Sequence, residues 1–342
     1  MIRLAGPALI LLALVSSGCA VFQNVGVDPR RGRNWDAGPI EHEDETIFTR
    51  NHLTWGPMST KVLDPGRTRA RAAFAWTNTN NFNPRPDPQD NFLMDYESRT
   101  LDLEVNHGIA PGLEVGVSVP ILWRGDGELD WVLLKYHELT GLPLAQRDIV
   151  PHYDFAAYGP KDDGSRYEWT ATGTEIGDVT LEGRWLLTEG SETSPAVTLI
   201  GRTRLPTATH DEYGADGIDL GGMLVASKRW NDFTLYGGAG IAWFSDTTGA
   251  GNVVYPDVSW IGFLALEYRF FDWFSMQWSL YAVNPMLDEA PDFDQSLFLM
   301  NDLSGVFRLS ETFDLEVMLR ENITPQSSSV DVTFFFGLVA HF

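Results

Sequence analysis

Residues 112–123 read GLEVGVSVPILW. Leu113, Val115, Val117, Val119 and Ile121 fall on one face of an extended chain, with Glu114, Gly116, Ser118 and Pro120 on the other, because side chains alternate along a strand. A tilted β crossing of a bilayer needs roughly 9–11 residues, and this stretch has that length. The same pattern recurs along the chain, bounded by Gly, Pro, Asn and Asp. It predicts twelve strands: 69–82, 92–107, 112–123, 176–188, 195–206, 217–229, 233–244, 257–271, 273–284, 295–309, 312–322 and 330–342. In 176–188, Val179, Leu181 and Trp185 oppose Asp178, Thr180, Glu182 and Arg184. In the last strand Val332, Phe334, Phe336, Leu338, Ala340 and Phe342 share a face.

The connections between these segments alternate in length: 9, 4, 52, 6, 10, 3, 12, 1, 10, 2 and 7 residues. Every odd connection is longer than every even one. An up-and-down antiparallel transmembrane β-barrel has short turns on the periplasmic side and longer loops outside. A soluble sandwich gives no reason for strict alternation. An even strand count puts both termini on the short-turn side. Trp230, Phe233, Phe270, Phe271, Trp273 and Phe274 gather near short turns, as an interfacial aromatic belt would.

Composition agrees. Mean hydropathy is −0.14 and no long apolar run follows the N-terminus, which excludes a bundle of membrane helices; alternating strands average to such a modest value. A net charge of −23 argues against nucleic acid, whose phosphates demand a basic stripe. One Cys excludes a disulfide framework and a Cys-based zinc site.

The N-terminus reads as an export signal over residues 1–18: Arg3, then LAGPALILLALV, then Ser16, Ser17 and Gly18 before Cys19. This is similar to a bacterial lipoprotein signal, so Cys19 is the expected lipidation site, although Ser16 stands where that pattern usually has Leu. Without lipidation, cleavage after Ala20 leaves Val21 as the new N-terminus. Residue 20 is not Asp, so nothing argues for retention at the inner membrane. Residues 19–46 lack apolar periodicity and are expected to form a periplasmic tether, with the barrel over 47–342 and a long loop insertion at 124–175. The expected location is the outer membrane of a Gram-negative bacterium. The expected partners are its lipids, the barrel-assembly machinery acting through the strand that ends at Phe342, and a small solute.

Alternation points Glu104, Glu114, Asp178, Glu182, Arg184, Arg202, Arg204, Glu267, Arg269, Glu316 and Arg320 into the lumen. Opposite charges on neighbouring strands can pair and fill the interior or form a selective constriction. In the long loop, Leu129, Val132, Leu133 and Tyr136 share one helical stripe over 128–140, stopped by Gly141 and Pro143. That helix is expected to plug or cover the barrel mouth. Two acidic loop clusters, His210-Asp211-Glu212 and Asp288, Glu289, Asp292 and Asp294, read as solvated. No HxxxH or HExxH pattern, EF-hand spacing or phosphate loop is present, so no metal, cofactor or catalytic residue is assigned.

Leu129-Asp130, Tyr136-His137-Glu138, Gly141-Leu142-Pro143 and Arg147, with Thr49-Arg50-Asn51 and Arg320-Glu321-Asn322, resemble the domain-of-unknown-function 3187 family over roughly residues 47–342. Asn322 departs from the acidic residue expected there. The resemblance implies an outer-membrane barrel and supplies neither reaction nor ligand. Three readings stand at this point. The first is a channel or binding protein for a small solute or lipid-like molecule, gated by the 124–175 loop. The second is a structural or assembly component with a closed lumen. The less favoured third is a lipid-modifying enzyme, which would need a Ser–His pair near the outer rim.

Overall fold

The computed structural model describes residues 37–83, 91–140, 155–161, 163–288, 297–323 and 330–342. The signal peptide and Cys19 lie outside these residues.

The barrel strands are β1 (Thr68–Asn83), β2 (Phe92–Ala110), β3 (Leu113–Gly125), β4 (Val179–Glu189), β5 (Ala196–Leu205) and β6 (Asp219–Trp230). They continue as β7 (Phe233–Phe244), β8 (Val258–Phe271), β9 (Phe274–Val283), β10 (Phe298–Arg308), β11 (Phe313–Asn322) and β12 (Val332–His341). Each pairs antiparallel with its sequence neighbours, and β1 pairs with β12 from Arg69↔His341 to Asn78↔Val332. Closure leaves no barrel edge, which hydrocarbon demands because it offers backbone groups no other partners. All twelve expected strands are present within a few residues. Gly112, at φ +71°, makes the tight β2–β3 turn; a residue with a Cβ is strained there.

One expected strand is interrupted. Residues Gly173–Ile176 pair with the long-loop end of β3, and β4 starts only at Val179. Between them the Asp178 carboxylate accepts the backbone N–H groups of Thr207, Ala208 and Ala215. The chain there organises a loop instead of continuing the ladder.

The outward face is apolar around the wall: Val105, Trp185, Leu264 and Phe336 are 48–58% exposed. A continuous band of this kind far exceeds the patches of a soluble monomer and suits hydrocarbon. Near the short turn between β8 and β9, Phe270, Phe271 and Trp273 lie at the surface, whereas Phe274 is buried under the rings of Phe270, Trp273 and Phe307.

Residues 37–63 fill the barrel. The chain climbs through the lumen from the short-turn end, makes a short helix α1 (Ile47–Asn51) capped by the Thr46 hydroxyl, and returns to leave beside Gly108. The two limbs touch at Gly56, where a Cβ would sit 2.0 Å from the His42 carbonyl oxygen. Residues 37–46, expected as part of a tether, are therefore interior. Irregular backbone at membrane depth is tolerated when protein surrounds it.

Candidate functional site: a charged lumen and its internal plug

The climbing limb is held by charge. Glu267 accepts the backbone N–H groups of Ala37 and Gly38 at 2.7 and 3.0 Å. Glu41 accepts from Arg184 Nη1 at 2.9 Å, and its carbonyl accepts from Arg71. Glu43 pairs with Arg202 and Arg204, while Arg320 donates to the carbonyls of His42 and Glu43. Arg50 of α1 donates to Asp102 at 2.8 Å. Such charge-assisted bonds satisfy groups whose burial would otherwise be costly.

The returning limb is held differently. Leu53, Trp55 and Met58 are at most 2% exposed, in one cluster with Ile200, Met223, Val225, Tyr236, Phe263 and Tyr281 of the wall. At the top, His52 and the backbone of Leu53 both bond to Asp219. Further down, Trp55 donates to the Ile241 carbonyl and Leu63 N–H to Glu114.

The residues nominated for the lumen are distributed as follows. Glu104 and Glu316 flank Arg71 at 2.8 and 2.9 Å. Glu182 bridges Arg184 and Arg202 at 2.6 and 2.7 Å. Arg320 grips Asp302, and Arg204 and Glu267 hold the plug. Glu114 takes the plug's exit. Arg269 stands at the short-turn rim against Asp232, and Asp178 at the long-loop rim. Sequence reasoning missed Arg71, Asp102, Asp302 and the plug residues Glu41 and Glu43, and named Arg50 only within the family resemblance, without a role. A signal existed in the acidic run Glu41-His42-Glu43-Asp44-Glu45, placed before strands rich in inward arginines. Periodicity cannot find it, because the run adopts no regular structure.

The long loop does not do what its helix suggests. Helix α2 (Leu129–Thr140) lies on the outside of the barrel, with Leu129 and Leu133 packed on Val332, Trp76, Leu319 and Phe334. Trp131, Val132 and Leu139 remain exposed, so the expected four-residue stripe divides. The cause is Glu97 on the outer face of β2, whose Oε2 accepts the N–H groups of Glu128 and Leu129 at 2.7 Å each. A carboxylate at a helix N-terminus is favourable, and this one draws the helix down the outer wall. Asp130 adds a bond to Asn78. The Tyr136 and His137 side chains, and Gly141, Pro143 and Arg147, lie outside the described residues. The loop's later part does approach the lumen: Tyr167 and Trp169 pack edge-on against Phe48 of α1, with centroids 6.4 and 4.8 Å away.

Other chemistry finds little support among the described residues. His52 and His341 face Asp219 and Asp314, His107 faces the Thr68 hydroxyl, and no serine hydroxyl bonds to a histidine. Ligand atoms of His42, Glu45 and Asp102 lie within 4.8 Å of one another. Arg50 already sits 2.8 Å from Asp102 and 3.8 Å from Glu45, so a guanidinium supplies the cation there.

Space remains on the charged side. A short-turn vestibule of about 1020 Å³ shares Lys61, Arg69 and His341 with a small cavity of about 90 Å³. That cavity shares Glu41 and Glu104 with another of about 60 Å³, which reaches Arg50, Asp102, Pro120, Thr180 and Arg204. Above it α1, Arg124, Tyr213 and the short strand Arg166–Trp169 fill the lumen.

These features define a closed, antiparallel transmembrane β-barrel with an internal plug. The chain belongs to the DUF3187 family, described as proteins of unknown function, whose model matches residues 13–342. Among curated proteins no relative matches. The fold is similar to that of the COG4313 outer membrane channel from Pseudomonas putida F1, at 13% identity and TM-score 0.57, over 84% of this chain and 100% of that one. A NanC porin matches at 8% identity and TM-score 0.46, over 80% and 98%. The P. putida toluene transporter TodX matches at 10% and 0.39, over 82% and 90%.

Proposed function

We propose that the protein is an outer-membrane channel for a small polar solute, which passes beside the plug and not through a lumen the plug has vacated. Short turns and both termini face the periplasm, long loops face outside, and Cys19 carries a lipid anchor. The observation that carries this reading is the chain of polar cavities between the climbing limb and the wall.

Magnitudes favour passage beside the plug. Expelling it exposes Ile47, Phe48, Leu53, Trp55 and Met58, all buried, at about 1.5–3 kcal/mol each. That comes to on the order of 10 kcal/mol, or an expelled population near one in ten million, at about 1.4 kcal/mol per tenfold.

The test is single-channel conductance in a planar bilayer. Thr60→Cys/Ser227→Cys joins plug to wall where the two hydroxyl oxygens lie 2.7 Å apart. The locked protein is expected to conduct like the wild type, and Thr180→Trp, which fills the upper cavity, to block both. Loss of current on locking, restored by reductant, would show that the whole plug moves. Silence in wild type and locked protein alike sinks the channel reading. It would leave the structural reading, which the sealed long-loop end favours. Cys19→Ala should abolish acyl labelling; an unmodified Val21 at the mature N-terminus of the wild type would refute the anchor.

A further inference from the structure

Arg124 differs from six other buried arginines of the lumen. Arg50, Arg71, Arg184, Arg202, Arg204 and Arg320 each meet a carboxylate. Arg124 is 3% exposed and, among the described residues, meets none within ion-pair distance. Its Nη1 donates to the Glu212 carbonyl and its Nη2 to Asn51 Oδ1 at 3.1 Å. Its guanidinium lies 4.2 Å from the centre of the Tyr213 ring. The Glu212 carboxylate is committed elsewhere, accepting the N–H groups of Thr170 and Ala171 at 3.0 and 2.7 Å.

The indole Nε1 of Trp169 is buried with no acceptor, and Trp169 packs on Phe48, one helical turn before Asn51. A desolvated cation whose acceptors are all neutral is a site short of negative charge.

The same residue joins three parts of the molecule. It belongs to β3, reaches α1 through Asn51, and holds the 206–215 loop through Glu212 and Tyr213. Below it on the inner face of β3 is Pro120, which lines the small polar cavity that reaches Thr180 and Arg204.

We propose that Arg124 is the outer recognition point for a solute bearing an oxyanion, a carboxylate or a phosphate. The inference rests on the channel reading above. The oxyanion takes both guanidinium nitrogens in place of the Asn51 and Glu212 oxygens. Two bonds from the cation to an anion replace two from the same cation to neutral oxygens, and the guanidinium fork matches a carboxylate or phosphate in a bidentate pair. Releasing Glu212 and Asn51 parts the middle of the 206–215 loop from Arg124 and α1, while Asp178 keeps its two ends on the rim, and this opens the passage at its closed end. Arg50, Arg184, Arg202 and Arg204 line the cavity that Pro120 borders.

The experiment uses the full chain in bilayers, with tricarballylate or inorganic phosphate added on the long-loop side, and calorimetric titration of the same anions in detergent. Either anion should raise wild-type open probability several-fold. Whichever acts identifies carboxylate or phosphate as the chemistry. Arg124→Gln should abolish the response and the binding heat, and Arg124→Lys, without the planar fork, should keep only a small part of both. A wild type that conducts but ignores both anions overturns the proposal and leaves the channel standing. If nothing conducts, the channel reading falls and the titration still decides: heat lost in Arg124→Gln supports the anion site, and no wild-type heat overturns it.

Discussion

The two sides of the lumen hold the same plug by different physics. Against β5–β9 the returning limb packs Leu53, Trp55 and Met58 into aromatic and aliphatic side chains. Apolar groups reach close-packed density because their contacts are non-directional. Against β1, β2, β4, β5 and β11 the climbing limb is held largely by charged side chains, joined by Ile40 packing on Ala73, Val306, Met318 and Phe335 and by Glu267 of β8 at its start. The charged contacts demand particular distances and angles, and between their fixed points the wall stands off and leaves cavities. The apolar side packs the plug tightly, and the charged side keeps small polar cavities beside it.

The comparison breaks most severely at Trp55. Trp55→Ala should cost about 3–5 kcal/mol of plug docking while the closed hydrogen-bonded barrel persists. Docking on the order of 10 kcal/mol falls to about 5–7 kcal/mol, so the expelled population rises by about two to four powers of ten while the plug stays mostly docked. The expected outcome is unchanged heat-modifiability on a gel, an unchanged mean conductance, and faster proteolysis within residues 37–63. Proteolysis no faster than in the wild type would mean that the apolar side is not the anchor. Glu43→Gln probes the other side with a smaller effect, about 1–3 kcal/mol. Its backbone still accepts from Arg320, so the plug should stay docked. Removing one negative charge beside Arg202 and Arg204 should move the reversal potential in a salt gradient towards anions. Plug loss equal to that of Trp55→Ala would erase the distinction between the sides.

The smallest effect on the plug belongs outside the lumen. Leu133→Asp sets a charge among Val332, Trp76 and Phe334 and should detach α2. Limited proteolysis would report the detachment, and single-channel current should not change. A rise in current would mean that α2 controls the mouth after all.

How much of this was legible in advance follows from the range of each interaction. Strand positions and faces were readable because alternation is local: Leu113 to Ile121 declare an apolar face without reference to any other segment. The helix at 129–140 was readable from its stripe for the same reason. Its docking was not, because Glu97, which holds its first turn, lies some thirty residues earlier and on the outward face of a different strand. The lumen arginines were nominated by alternation, but their partners were not. Glu41 lies 143 residues from Arg184, and Glu43 lies 161 from Arg204.

By itself, then, the amino-acid sequence determined that the chain makes twelve amphipathic strands with short and long connections in turn, and hence a closed wall with an apolar outside and a charged inside. Only the tertiary structure decided what fills that inside. The plug has neither period 2 nor period 3.6, since irregular backbone carries no repeating face. Its place is set by charge and shape complementarity to a cylinder that exists only once β1 and β12 have met.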